Sequence, residues 1–193
     1  MLAFFSTWKL QRREIPTLSG MLVLLLGCAL AMVSKISGVL VAGSVMLSAL
    51  LWATGPARRA MWIAAILGTV LGFVPTLLWN LDHEWASILY QLRDRHQGGG
   101  GLSLLRWGQF WAAQLVLAGP ALLAYALYFL PERALRGAAR TPAEERVRHG
   151  RRFLLVWLAP AAIIYGVQPL AGEFKPHWAL IAWWPAAIGL ALE

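Results

Sequence analysis

The sequence predicts an all-α fold, that of a polytopic membrane protein with about six transmembrane helices and a short interfacial helix. Of its 193 residues, 59% are hydrophobic and only 13% are charged, whereas a soluble domain is roughly a quarter charged. The formal net charge of +8 would indicate nucleic acid binding in a soluble protein. Here the basic residues lie in short clusters between apolar runs, where they report topology instead. No nucleic acid partner is therefore predicted.

Six apolar segments divide the chain, which is predicted to be a single transmembrane domain over residues 1–193. Five of them reach, or nearly reach, the length that crosses a hydrocarbon core of roughly 30 Å as a helix. They cover residues 17–34, 36–54, 60–79, 104–130 and 153–171. A sixth runs from 178 to the end and is marginal for a span. The one cysteine, Cys28, lies inside an apolar run, so no internal disulfide is possible.

The distribution of Lys and Arg orients these segments. If residues 9–14 are cytoplasmic, alternation of the spans places 55–59 and the loop 131–152 on the same side. That side then carries twelve Lys and Arg, and the opposite side carries five. Because basic residues concentrate on the cytoplasmic side of membrane proteins, we expect 131–152 to be a cytoplasmic connector.

Polar residues gather in one outer stretch, "PTLLWNLDHEWASILYQLRDRH", residues 75–96. Within it Trp85, Ile88, Leu89 and Leu92 fall at positions i, i+3, i+4 and i+7, the pattern of a helix with one apolar face. We expect a short helix lying in the membrane interface. Asp82 is placed to cap its start.

A second outer loop, "GEFKPHW", brings a carboxylate, an ammonium and an imidazole close together at Glu173, Lys175 and His177. Such a group can bind a phosphate or a sugar, or it can be a snorkelling lysine beside interfacial aromatic residues. Lys35, in the turn "VSKISG", also has two possible roles: it neutralises a lipid phosphate, or it simply anchors the turn. Neither an HxxxH nor an HExxH pair occurs, so no cofactor is predicted and a divalent metal is left open.

Three stretches carry a family resemblance: "VSKISGVLV", "PTLLWNLDHEWASILYQLRDR" and "KPHW". In this order they resemble bacterial polytopic glycosyltransferases of the dolichyl-phosphate-mannose protein mannosyltransferase type, the GT-C group that includes lipid A aminoarabinose transferases. The resemblance covers about residues 1–185, as a middle fragment of such a protein. It implies transfer of a sugar from a polyprenyl-phosphate carrier to an acceptor glycan, lipid or protein. The site would lie on the periplasmic side of the bacterial inner membrane, in contact with membrane lipids.

The resemblance also implies roles for particular residues. The set expected to bind substrate is Lys35, Asn80, His83, Trp85, Gln91, Arg95, Lys175, His177 and Trp178. Within it the cationic side chains would contact the carrier phosphate, and the others would shape the donor or acceptor pocket. The catalytic carboxylate of the family would lie upstream of Met1, so the catalytic residue is unknown here. Glu84 and Glu173 are candidates for a substitute base, and the chain by itself is expected to be inactive.

Two other functions fit the sequence. A non-catalytic membrane protein would use the same polar clusters to bind lipid-linked sugars or a partner subunit. A small transporter or channel is the weakest hypothesis, because the apolar segments carry almost no ionisable residues at midplane depth.

Overall fold

A computed structural model describes residues 1–90, 101–136, 139–172 and 175–193, without the side chains of Trp178 and Ile181. The chain forms two compact units, Met1–Ile88 and Leu89–Glu193. Every regular element in the described ranges is helical, as the sequence predicted.

The first unit contains the helices α1 to α4 and all but the last residue of α5. They are α1 (Leu2–Gln11), α2 (Thr17–Ser34), α3 (Val39–Trp52), α4 (Gly55–Asp82) and α5 (Ala86–Leu89), with a 3₁₀ turn at Ile36–Gly38. The predicted segments 17–34 and 60–79 correspond to α2 and α4, both long and apolar enough to cross a membrane. The predicted segment 36–54 corresponds to an apolar stretch, Ile36–Trp52, that is shorter than a span.

Helices α2 and α4 pack closely because two glycines on α4 face the backbone of α2. A methyl group added at Gly68 would overlap the carbonyl oxygen of Leu25, and one added at Gly72 would overlap that of Ala29. Small residues four apart let membrane helices approach in this way, since van der Waals contact drives helix association in lipid. Cys28, fully buried beside Gly68, packs into the same contact.

These contacts also fix which residues share an end of the unit. Gly68 meets Leu25 and Gly72 meets Ala29, a constant offset of 43 residues, so α2 and α4 run parallel. The offset places Lys35, just after α2, level with Leu78 on α4. The opposite end carries the other five basic residues of this unit, which are Lys9, Arg12, Arg13, Arg58 and Arg59. Helix α1 runs antiparallel to α2, with Ala3 against Gly27 and Leu10 against Gly20.

The second unit contains the helices α6 to α9. They are α6 (Leu104–Leu117), α7 (Pro120–Leu135), α8 (Pro142–Ala171) and α9 (Trp184–Ala191). Helix α7 includes a π-helical stretch, Tyr125–Phe129, and a 3₁₀ helix, Pro176–Ala182, precedes α9. The predicted segment 153–171 lies inside α8, which is long and apolar enough to cross a membrane.

The predicted continuous helix over 104–130 is wrong, because the chain breaks between α6 and α7 with a bend of 115°. Gly119 at the break has φ +84° and ψ 148°, a conformation that is essentially restricted to glycine. Pro120 follows as the first residue of α7, where its missing N–H is no loss.

Much of the predicted cytoplasmic loop 131–152 is helical, since its first residues end α7 and its last residues begin α8. Residues 142–152 belong to α8, whose start is capped by Thr141: its hydroxyl oxygen accepts a hydrogen bond from the Glu144 N–H at 3.2 Å. The last predicted segment, from 178 on, is divided between the 3₁₀ helix and the eight residues of α9. The described residues thus hold three helices that could span a membrane, or four if the bent pair counts as one, and six are not confirmed.

The contact between α2 and α4 predicts opposite effects for two glycine substitutions. Gly68→Ala should lower the free energy of unfolding by about 1–3 kcal/mol, because the added methyl group displaces the backbone of α2. Gly43→Ala is the matched control, since a methyl group at Gly43 on α3 meets no atom within 4 Å. It should raise stability by up to about 1 kcal/mol through helix propensity. Denaturant unfolding of the detergent-solubilised protein measures both, and equal shifts would contradict the packing described.

Candidate functional site

The turn around Lys35 is tight and holds this residue at the end of α2. The Lys35 N–H donates to the Ala31 carbonyl at 3.2 Å, and the Gly38 N–H donates to the Lys35 carbonyl at 2.7 Å. Gly38 lies so close to the Ala31 backbone that a side chain there would overlap it. The Lys35 side chain is exposed, so its charge lies at the surface at this end of the unit.

Asn80 joins the end of α4 to the start of α5. Its side chain is fully buried. The amide Nδ2 donates to the Thr76 carbonyl at 2.8 Å, and Oδ1 accepts from the N–H groups of Ser87 and Ile88, both at 3.1 Å. These are among the first N–H groups of α5, which have no partner within the helix. The Asn80 side chain therefore lies inside the turn between α4 and α5 and stabilises it through these hydrogen bonds.

Asn80 has the capping role that the sequence assigned to Asp82. Asp82 is the last residue of α4, so that assignment is wrong. The chain reverses after it through Glu84 and Trp85, both in the left-handed region with φ 52° and 62°. Because of this reversal, Asn80 rather than Asp82 reaches the N–H groups of α5. The predicted interfacial helix is described over Ala86–Leu89, and its continuation to Leu92 lies outside the described residues.

The left-handed pair is strained. Residues with a side chain rarely adopt positive φ, and each such position costs on the order of 1–3 kcal/mol. The Trp85 N–H donates to the Asn80 carbonyl at 2.9 Å, and the Ala86 N–H donates to the His83 carbonyl at 3.0 Å. These bonds and the Asn80 side chain hold the strained turn, which leaves Glu84 and Trp85 exposed.

His83 is held in one orientation by Trp79. The Nδ1–H group of His83 donates to the Trp79 carbonyl at 2.7 Å. The imidazole also stacks on the Trp79 indole, with ring centroids 4.0 Å apart and planes 11° apart. With Nδ1 used as the donor, the neutral ring presents Nε2 as an acceptor. Trp79 is 47% exposed, so an acceptor and an aromatic face lie side by side at the surface.

The first unit therefore gathers several predicted residues at one end, which we call the Lys35–Trp85 end. It consists of Lys35, Trp79, His83, Glu84 and Trp85. From the offset between α2 and α4, His83 lies about 8 Å farther along the helix axis than Lys35. A cation, a carboxylate, an oriented imidazole and two indoles at one end can bind an anionic, sugar-bearing headgroup.

The second unit carries the other predicted residues. Lys175 and His177 are exposed on either side of Pro176. The predicted Gln91, Arg95 and Glu173 lie outside the described residues, as does the side chain of Trp178.

Sequence reasoning missed Gln114, which positions the "KPHW" segment. Gln114 is fully buried in α6. Its Nε2 donates to the Pro176 carbonyl at 2.9 Å, and its Oε1 accepts from the Trp183 indole N–H at 2.9 Å. The signal was a polar residue inside the apolar run "FWAAQLVLAG", since buried amides in membrane helices usually bond between segments.

No group of three or more His, Cys, Asp or Glu side chains that could hold a metal ion occurs among the residues that the structure describes. The residues that the structure describes form apolar helices, three of them long enough to cross a membrane, and membrane character follows from their length and composition.

Comparison with known proteins adds one relative. No family model matches the chain, and no solved structure does. The chain is 28% identical over 185 residues to the lipid A galacturonosyltransferase RgtD of Rhizobium johnstonii. The match covers 95% of this chain and 36% of the relative, so the chain spans little more than a third of that protein's length. The relative is a glycosyltransferase, the general class that the three sequence motifs predicted.

The hydrogen bonds of Asn80 predict a local effect of its substitution. Asn80→Leu should remove about 1–2 kcal/mol of capping free energy. Amide exchange at Ser87 and Ile88 should then become roughly tenfold faster in hydrogen-exchange mass spectrometry. Asn80→Asp keeps an acceptor oxygen and should retain most of the protection. Unchanged exchange in Asn80→Leu would show that Asn80 does not hold α5.

The buried amide of Gln114 predicts that two glutamine substitutions on α6 differ in their effect on stability. Gln114→Leu should destabilise the protein by about 1–2 kcal/mol, because the Pro176 carbonyl and the Trp183 N–H lose their partner. Gln109→Leu on the same helix is the control, since Gln109 is exposed, and should change stability by less than about 0.5 kcal/mol. Denaturant titration in detergent separates the two variants, and equal effects would contradict the role of Gln114.

Proposed function

We propose that the protein is a membrane glycosyltransferase that moves a sugar from a polyprenyl-phosphate carrier to a lipid acceptor. The observation that carries this proposal is the match to a lipid A galacturonosyltransferase along 95% of the chain. A lipid such as lipid A is accordingly the proposed acceptor, and a uronic acid the proposed sugar. The apolar helices and this relative favour the bacterial inner membrane as the location.

We propose that the Lys35–Trp85 end lies on the periplasmic side of the membrane, and the charge distribution of the first unit supports this placement. Five of its six basic residues lie at the end opposite Lys35. About 36 Å of helix separates Arg59 from His83 on α4, more than the roughly 30 Å of a hydrocarbon core. By the positive-inside rule the Arg59 end faces the cytoplasm, so the Lys35–Trp85 end faces the periplasm.

The chemistry proposed for this end follows from its groups. The acceptor hydroxyl oxygen bonds to the anomeric carbon of the sugar, and the bond from that carbon to the carrier phosphate breaks. The ammonium group of Lys35 stabilises the negative charge that develops on the departing phosphate. Glu84 or His83 Nε2 accepts the hydroxyl proton, and the indoles of Trp79 and Trp85 stack on the sugar. Lys175 and His177 are proposed separately as substrate-binding residues of the second unit.

A second candidate function is binding without transfer. Glu84 is exposed rather than enclosed, which favours recognition over proton transfer in a water-excluded site. In this case the same end holds a lipid-linked sugar for a partner protein. Because both functions require Lys35, a transfer assay must be paired with a binding assay.

The function is tested with Lys35→Ala in the protein as its native gene encodes it, using membranes that contain lipid A and a polyprenyl-phosphate-linked uronic acid. Mass spectrometry of lipid A should show one added uronic acid for the wild-type protein and at least tenfold slower transfer for Lys35→Ala, the loss expected for a charge-assisted contact. Arg59→Ala, at the opposite end, is the control and should transfer at the wild-type rate.

Quenching of tryptophan fluorescence by the same donor gives the second readout. Binding that depends on Lys35 without any transfer would favour the recognition function. The absence of both binding and transfer would contradict both proposals.

A further inference from the structure

A groove on the second unit lies outside the candidate site described above. It has a volume of about 470 Å³. Its lining residues come from α6, α7 and α8, and all are apolar or aromatic. They are Leu104, Trp107, Trp111, Leu127, Ala162, Ile163, Gly166, Val167 and Leu170. The groove therefore offers a hydrocarbon surface and almost no hydrogen-bonding groups.

The groove runs along the helices from one end of the unit inward. The Ser103 N–H donates to the Leu170 carbonyl at 2.9 Å, and the Trp107 indole N–H donates to the Gly166 carbonyl at 3.0 Å. These bonds join the start of α6 to the end of α8. From there Trp111 lies seven residues past Leu104, about 10 Å farther along α6. The groove thus extends from the helix ends towards the middle of the unit.

Arg106 lies at the outer end of this groove, between two of its lining residues. One guanidinium nitrogen, Nη2, donates to the carbonyls of Gly101 at 2.6 Å and Leu170 at 3.4 Å. The Nε atom is buried without a hydrogen-bond partner, and none of the ion pairs within the described ranges involves Arg106. Neutral carbonyls do not cancel the charge of a guanidinium group. The outer end of the groove is therefore positive and favours an anion.

We propose that this groove binds one acyl chain of an anionic phospholipid, with the phosphate of the headgroup beside Arg106. The charge at one end and the apolar walls beyond it match the two parts of such a lipid. The volume corresponds to about sixteen water molecules at ~30 Å³ each, and a methylene group needs similar room. This fits one acyl chain but falls short of a whole polyprenyl chain.

Access and abundance favour the same ligand. Ile163 is 63% exposed and Val167 is 56% exposed along the wall of the groove, so a chain can enter sideways from the bilayer. Phospholipids are the bilayer's main components, and a ligand at high concentration occupies its site by mass action. The proposal does not depend on sugar transfer.

Photocrosslinking tests the proposal in vesicles of phosphatidylcholine that contain phosphatidylglycerol with a diazirine on one acyl chain. For the wild-type protein, the crosslinks should map to the peptides that contain Leu127 and Ile163. Ala162→Phe, which fills the groove, should reduce them at least fivefold. Val116→Phe is the matched control, because Val116 on α6 is 83% exposed and does not line the groove. It should leave the crosslinks unchanged.

The role of Arg106 is tested by replacing the labelled lipid with labelled phosphatidylcholine. Crosslinking should fall about fivefold, the effect expected from one interfacial basic residue. Arg106→Gln should abolish this difference between the lipids, and Arg106→Lys should keep it. Equal labelling of Ala162→Phe and Val116→Phe would overturn the proposal. So would displacement of the labelled lipid by an equal amount of a polyprenyl phosphate, which would assign the groove to a carrier lipid instead.

Discussion

The close contact of α2 with α4 at Gly68 and Gly72 is the constraint on which the arrangement of the first unit depends. In lipid there is little hydrophobic force between helices, so association relies on surfaces that fit at short range. The two glycines provide such a surface and fix the offset of 43 residues. This offset brings Lys35 to the same end as the turn after α4, although 45 or more residues separate them in the sequence. The polar end of the unit is therefore a consequence of helix packing.

Asn80 and Gln114 have similar structural roles, one in each unit. Each is a fully buried amide that bonds to polar groups of a neighbouring segment. Burying such a group without partners is costly, so each one fixes the segment it contacts. Asn80 thereby supports the strained turn that exposes Glu84 and Trp85, and Gln114 supports the segment that carries Lys175 and His177. In both places, buried groups hold the exposed side chains that could meet a substrate.

The sequence predicted the helical class and the three long apolar helices, because hydrophobic length is a local property. It did not predict the break at Gly119, where two residues interrupt an otherwise apolar run, although Gly-Pro was the available signal. The sequence also contained a signal for the helix that starts at Pro142, because Thr141 followed three residues later by Glu144 is the sequence pattern of a capping box. The role of Asn80 could not be read, since its partners Ser87 and Ile88 are reached only through two left-handed residues. Alternation of the predicted spans placed Lys35 and His83 on the same side of the membrane, and the offset between α2 and α4 supports that grouping.

The sidedness of the Lys35–Trp85 end tests the account most directly. The only cysteine, Cys28, is buried, so a Cys28→Ala background can carry single reporters at His83→Cys and Arg59→Cys. Intact spheroplasts would be treated with a membrane-impermeant maleimide and compared with lysed membranes. The account predicts that the reporter at position 83 is labelled in intact spheroplasts and that the one at position 59 is labelled only after lysis. Labelling of both from the same side, or the reverse pattern, would contradict it.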